Sequence, residues 1–291
     1  MARRARSLLG AWLAAPALAA MLLAAAFPIL RAAWLSLFRY RLTDPGARAF
    51  VGLRNYGVVL SDPLWWRDVG TTVAITAVCV SVELVLGLAI ALVMHRAATG
   101  RGWLRAAVLL PYGIVTVVSA FSWRYAFALD TGFVNRWLGL GDFAWFAHPA
   151  SSLAAICAAE IWKTTPFMSL LLLAGRSQVP EEILEAARVD GAGPWRRLVE
   201  VTLPSMRAAV AVAVLFRTLD AFRIFDVVFV MTGGAQGTES VSFLAYRQVI
   251  GRTALGLGSA VSVLLFCCVV TIAALLVKTL RVDLGAAGGG R

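Results

Sequence analysis

Arg217, Asp220, Arg223 and Asp226 follow one another at intervals of three, alternating in sign, inside an otherwise apolar stretch. Glu160 and Lys163 repeat that spacing within a second apolar run. A charge near the centre of a bilayer costs about 2.5–3.5 kcal/mol on insertion scales, so such groups face protein or water and find partners. Residues three apart pair along a helix, yet three-residue steps drift around its axis, so these four cannot share one face and some must reach other helices. Counted from the outer ends of their segments, Glu160 and Lys163 lie at the same depth as Asp220 and Arg223. The expected interhelical pairs are therefore Glu160 with Arg223 and Lys163 with Asp220. The chemistry on offer is a polar lining for an uncharged, polar solute. The alternative is that the charges only neutralise one another and fix helix packing, which suits Arg217 and Asp226 best.

A second charged island runs from Glu185 to Pro204, reading EAARVDGAGPWRRLVEVTLP. Helix formers extend from Pro180 to Val189, a break follows at Asp190-Gly191-Ala192-Gly193, and Pro194 opens a second short helix expected to stop before Pro204. Ile183, Leu184 and Ala187 share a face, with Glu181, Glu182, Glu185 and Arg188 around them. The small pair Ala186-Ala187 would let another backbone approach, and Gly191 would reverse the chain at positive φ. Such a helix suits a partner's groove; the bland alternative is a solvated amphipathic loop on a membrane surface.

Catalysis finds no support. Only His95 and His148 are present, with no Ser/His/Asp or paired-carboxylate arrangement. Of 27 basic residues the two lysines, Lys163 and Lys278, do not follow glycine as a phosphate-binding loop requires, so nucleotide hydrolysis is not expected. Cys79, Cys157, Cys267 and Cys268 all fall in apolar segments without metal-site spacing, and no metal or cofactor is expected on this chain. The net charge of +11 is spread over the loops instead of forming a stripe, which argues against nucleic acid.

The elements that must position these residues are membrane spans. The chain has 291 residues, is 60% apolar and has a mean hydropathy of +0.80. Six runs reach or exceed the ~20 apolar residues that a spanning helix needs, at about 8–30, 71–94, 103–127, 151–175, 207–231 and 257–280. A cleavable leader ending near Ala17-Leu18-Ala19 is the weaker reading of the first run, which continues past that point. Pro111 is expected to kink the third span. Glu83 alone interrupts the second. Residues 31–70 form an interfacial segment rich in Trp, Tyr and Arg, and the Gly/Ala tail at 285–291 is expected to be unstructured. The fold class is all-α, a polytopic membrane protein of one domain with six transmembrane helices and a polar loop at 178–206. No internal repeat is visible. Six spans put both termini on one side, and the bias of basic residues places them weakly in the cytoplasm.

Glu185-Ala186-Ala187, then Gly191, Val201 and Leu203-Pro204 resemble the EAA loop of ABC-importer permeases, with Val201 where isoleucine is usual. Phe222 to Gly234 resembles the fifth-span signature of the carbohydrate-uptake permeases, and Leu257-Gly258-Ser259-Ala260 the start of their last helix. The stretches Pro111 to Val118 and Glu160 to Leu170 look most like permeases of mycobacterial trehalose importers. This resemblance covers essentially the whole chain. It implies a type I importer permease whose coupling helix, carrying Glu185, Ala186, Ala187, Asp190 and Gly191, seats in a separate ATP-binding subunit, and it turns the loop toward the cytoplasm. The implied partners are a second homologous permease, a dimeric ATPase holding ATP and Mg, an extracytoplasmic sugar-binding lipoprotein and the membrane lipids. The implied substrate is trehalose, with maltose, another disaccharide or glycerol phosphate as alternatives; a secondary transporter would also place charges midway across the membrane but would need no cytoplasmic helical pair of this form. Glu160, Trp162, Lys163, Asp220, Phe222, Arg223 and Phe225 would then line its path, the aromatic residues offering apolar faces to a sugar ring.

Overall fold

The computed structural model describes residues 2–96 and 101–279, so the tail expected to be unstructured lies outside the described residues. The chain divides into two compact units.

The first unit comprises Met1–Trp66 and Leu244–Cys267. Helix α1 (Ala2–Ser36) leads into a hairpin of β1 (Phe38–Arg41) and β2 (Asp44–Phe50), in register Phe38 with Phe50 and Arg41 with Asp44. The hairpin lies in the interfacial segment expected over residues 31–70, where the sequence reading specifies no strand. Helix α2 (Arg54–Ser61) follows, and its Asn55 amide donates to the carbonyls of Ser36 at 2.7 Å and Phe38 at 2.9 Å. Carbonyls left over where α1 stops are thereby satisfied by the next element. Helix α13 (Val241–Tyr246) runs on into a widened turn at Arg247–Gly251, and α14 (Leu255–Thr279) starts beside the hairpin. There Leu42 N–H donates to Thr253 O at 2.9 Å, and a Cβ at Gly256 would collide with the Phe38 carbonyl.

The second unit, Arg67–Phe243 with Cys268–Arg291, holds the charged motifs. Helix α3 (Pro63–Arg96) is followed by α4 (Arg101–Gly113), α5 (Thr116–Ala126), the short α6 (Val134–Leu138) and α7 (Pro149–Arg176). Helix α7 is the centre: α4, α5 and the later α11 (Arg207–Ala221) and α12 (Asp226–Met231) all pack on it. Its composition follows from that position, since Ala155, Ile156, Met168 and Leu172 fill apolar clusters while Ser152, Thr164, Thr165 and Ser169 satisfy their hydroxyls within the interior. Small residues permit the close approach that membrane helices require. A Cβ at Gly87 would stand 2.8 Å from Met168 Cγ, so α3 and α7 touch nearly backbone to side chain. Cys79 and Cys157 are buried in the same apolar cluster, as packing residues should be.

Among the described residues four helices are long and apolar enough to cross a membrane, and two bent pairs, Gly102–Gly113 with Thr116–Ala126 and Pro194–Ser205 with Arg207–Ala221, raise the number to as many as six. The expected third span is one such pair, α4 and α5, bent by 85° where Ile114 and Val115 leave the helix just after Pro111. The expected fifth span, 207–231, is not continuous either. Helix α11 ends at Ala221, the backbone is irregular through Phe222–Phe225, and α12 resumes at Asp226. Non-helical backbone at membrane depth is tolerated where protein or a cavity satisfies it. Here Ser240 Oγ donates to the Ile224 carbonyl at 2.8 Å, and Arg124 Nη1 donates to the Val230 carbonyl near the end of α12 at 2.8 Å. After α12 the chain turns at Thr232-Gly233-Gly234, with φ of +60° and +74° at the two glycines.

Helix α8 (Glu181–Val189) and the segment Pro194–Ser205 form the polar loop. The latter begins as α9 (Pro194–Arg196), widens through Arg197–Thr202 and closes as α10 (Leu203–Ser205). It therefore passes through Pro204 instead of stopping before it. Proline removes one helical N–H and crowds the carbonyl four residues earlier; a wider turn accommodates both demands. Thr202 Oγ1 donates back to Arg197 O at 3.1 Å within that turn.

Candidate functional site: a polar cavity and a charged loop

Arg217, on α11, is the hub of the buried charges. Its Nε donates to Glu83 Oε2 at 2.6 Å and its Nη2 to Glu83 Oε1 at 2.8 Å, a bidentate pair between α11 and α3. Nη2 also lies 3.4 Å from Glu160 Oε1 on α7, and Nη1 donates to Asp220 one helical turn along. Thr164 Oγ1 adds a 2.7 Å hydrogen bond to Glu83 Oε1. Both Arg217 and Glu83 are buried.

This arrangement corrects the expected pairs. Glu160 turns to Arg217, not Arg223, and Asp220 bonds Arg217, not Lys163. Equal depth along two helices does not fix rotation about their axes, and the break after Ala221 swings Arg223 out of the helical register. Lys163 donates instead to the Tyr112 carbonyl at 3.4 Å, with its ammonium 5.5 Å from the Tyr112 ring centre. Sequence reasoning passed over Glu83, although a lone carboxylate in an apolar span is a signal in itself.

Beside the network lies a cavity of ≈ 400 Å³. Glu160, Lys163, Asp220, Arg223 and Phe225 all line it, joined by Tyr112, Thr116 and Asp226. Trp162 and Phe222, expected with them, are not in its wall. Trp162 is packed edge-on against Trp123 at 5.7 Å, and Phe222 is buried in the helix break. The volume falls within the ~300–1,000 Å³ of small-molecule pockets. Three carboxylates face two cations across it, and Tyr112 and Phe225 add ring surface, so the wall offers hydrogen-bond acceptors, donors and apolar faces together.

The loop at the other site is built to be held and presented. At the end of α8, Gly191 has φ +79°, its N–H bonds Arg188 O at 3.0 Å and the Ala192 N–H bonds Ala187 O at 2.9 Å. That crossed pair of bonds closes a helix with a left-handed residue, the place where glycine costs least. No atom lies within 4 Å of a Cβ placed on Gly191, so any side chain there is opposed by the backbone conformation and not by crowding. Leu184 is buried while Glu185, Ala186 and Asp190 are exposed, and Ile183, Val189 and Trp195 expose apolar surface. At the start of α8, Glu181 Oε1 accepts from Arg176 Nη2 at 2.9 Å and lies 3.3 Å from His95 Nε2. Arg176 first, then His95, holds the Glu181 carboxyl below the usual carboxylate range. The ends of α3 and α7 are thus tied to the first turn of α8.

Among the described residues no group of three or more His, Cys, Asp or Glu side chains is placed to hold a metal ion.

Comparison with known proteins agrees with this architecture. Residues 83–281 match the family described as binding-protein-dependent transport system inner membrane component. The chain is 52% identical over 276 residues to the trehalose transport system permease protein SugA of Mycobacterium tuberculosis, covering 95% of this chain and 90% of that one. It is 40% identical to the trehalose/maltose transport system permease protein MalF of Thermococcus litoralis, covering 94% of both. Its fold matches a chain of a bacterial ABC transporter involved in the import of the acidic polysaccharide alginate, with TM-score 0.80, 18% identity and coverage of 97% and 99%. The cavity and the loop lie within residues 83–281, and the family model matches more than half of the chain: the chain belongs to the family of inner membrane components of binding-protein-dependent transport systems.

Proposed function

We propose that this chain is the permease subunit of an ATP-driven importer of trehalose, and that α8 is its coupling helix. The observation that carries the reading is the pairing of a presented loop with a polar cavity in one unit. Exposed Glu185, Ala186 and Asp190, with the Gly191 turn, are free to enter a partner's groove, while Glu181, through Arg176 and His95, ties that lever to the ends of two spans. Both termini and residues 176–207 face the cytoplasm. ATP and Mg belong to a dimeric ATPase subunit, so this chain hydrolyses no nucleotide. A second permease completes the pathway, and an extracytoplasmic sugar-binding lipoprotein delivers the solute. Nucleotide and loaded binding protein must each favour the outward-facing state over the inward-facing one, since a ligand shifts an equilibrium only by its differential affinity.

The cavity supports a neutral solute. Glu160, Asp220 and Asp226 outnumber Lys163 and Arg223, which disfavours a phosphorylated one, and Phe225 and Tyr112 suit the apolar faces of a sugar ring. Trehalose is favoured among neutral sugars by the names of the relatives at 52% and 40% identity.

The test is ATP hydrolysis by the reconstituted complex as trehalose and rival sugars are added with the binding protein. Trehalose should stimulate hydrolysis, and Gly191→Val should abolish the stimulation while costing roughly 1–2 kcal/mol of local strain. Stimulation by another sugar alone discards trehalose. Absence of any ATP dependence discards the importer.

A further inference from the structure

Between the end of α3, the end of α7 and the α8–α9 loop lies a cleft of ≈ 580 Å³. Its charged lining is Arg96, Arg176, Arg188 and Arg197 against a single carboxylate, Glu181. Arg176 is only 7% exposed, and Glu181 engages its Nη2 alone, leaving Nη1 buried with no hydrogen-bond partner. The Nε of Arg197 is likewise buried and unsatisfied. Unpaired buried donors cost ~1–3 kcal/mol each and more when charged, so a cleft with two of them and an excess of positive charge is poised for an anion. Leu92, Leu184 and Trp195 give it apolar walls beside the charged ones.

We infer that this cleft binds a phosphate group, from either an anionic phospholipid of the cytoplasmic leaflet or free inorganic phosphate. The inference rests on the cytoplasmic placement of the coupling loop. Guanidinium forks match phosphate oxygens in geometry as well as charge. The cleft opens where two spanning helices end, the depth of lipid headgroups, and basic pockets between helices on that side are suited to anionic ones. A phosphate there would satisfy Arg176 and Arg197 together and so bridge α7 to the loop that carries α8. Occupancy would stiffen the lever between the spans and the coupling helix.

The assembled importer is placed in nanodiscs of phosphatidylcholine with or without phosphatidylglycerol, extracted, and its retained lipid counted by native mass spectrometry. A parallel sample in phosphatidylcholine alone is titrated with radiolabelled inorganic phosphate. One of the two probes should bind the wild type, and Arg197→Gln and Arg176→Gln should each weaken that binding about tenfold or more. Arg196→Gln, outside the cleft, should leave it unchanged. If Arg176→Gln fails to assemble, Arg197→Gln decides. Binding of neither probe, or equal binding by wild type and Arg197→Gln, overturns the site. Trehalose-stimulated ATP hydrolysis on the same samples separates the two readings. Stimulation without phosphate binding removes only the anion site; binding without ATP dependence keeps the site and removes the importer assignment.

Discussion

Two arginine–carboxylate clusters in this molecule use the same chemistry in opposite surroundings. Arg217 with Glu83 is buried, bidentate and braced by Glu160 and Thr164. Arg176 with Glu181 has its arginine buried but its carboxylate 57% exposed. In the first, neither partner has water to fall back on, so separating them is prohibitive and the pair fixes how α3, α7 and α11 meet. In the second, water reaches the exposed Glu181 end and can take over part of its role, so the link orients a lever without locking it. On the proposed coupling role of α8 the two suit a transporter: a rigid unit within the membrane and an adjustable joint where a partner would act.

The comparison breaks most visibly at Arg217. Arg217→Ala should cost about 3–5 kcal/mol by leaving Glu83 buried and unpaired, read as loss of assembled complex or a large fall in melting temperature. Replacing Glu83 and Arg217 together by methionine should recover much of that stability. If the single variant melts like the wild type, the pair is not the brace described. Gly87→Leu is the next largest test, since its side chain would enter the space of Met168. A cost of about 1–3 kcal/mol is expected in the same melt, whereas Gly191→Val, with its roughly 1–2 kcal/mol of local strain, is told apart by uncoupled hydrolysis.

The smallest effect belongs to Glu181. Its folded-state carboxyl titrates below the ordinary range, so the stabilisation it gives is present above the unfolded value and is lost as pH falls through the folded one. Glu181→Gln should change stability by less than ~1 kcal/mol and remove this acid-side dependence, measured as melting temperature against pH. A wild-type curve unaffected by the substitution at every acidic pH would place the joint elsewhere.

How far the sequence could be read differs between the same two regions. At the loop, local rules sufficed: proline at 194, glycine at 191 and small residues at 186 and 187 specify a helix, a left-handed stop and a second helix from their own conformational limits. Only the widened turn through Pro204 escaped, because the shift from one hydrogen-bond register to another leaves no compositional mark. In the membrane, Glu160, Lys163, Asp220, Arg223 and Phe225 were named from their types and depth, and one cavity gathers them. Depth alone gives the wrong pairings and does not single out Glu83 as the principal partner of Arg217. The hairpin at Phe38–Phe50 leaves no mark of its own, because its arginines and aromatics suit a membrane interface equally well.

The sequence by itself determined that this is a membrane protein, which segments are apolar enough to cross, and where a charged helical loop interrupts them. Those properties follow from transfer energies and backbone limits that each short stretch carries with it. The tertiary structure alone decided that the fifth span breaks at Phe222–Phe225, that Arg217 reaches across to Glu83, and that two arginine donors beneath α8 remain open. Rotation about a helix axis and the choice among several available counter-charges depend on how whole helices pack, and no single stretch of sequence contains that information.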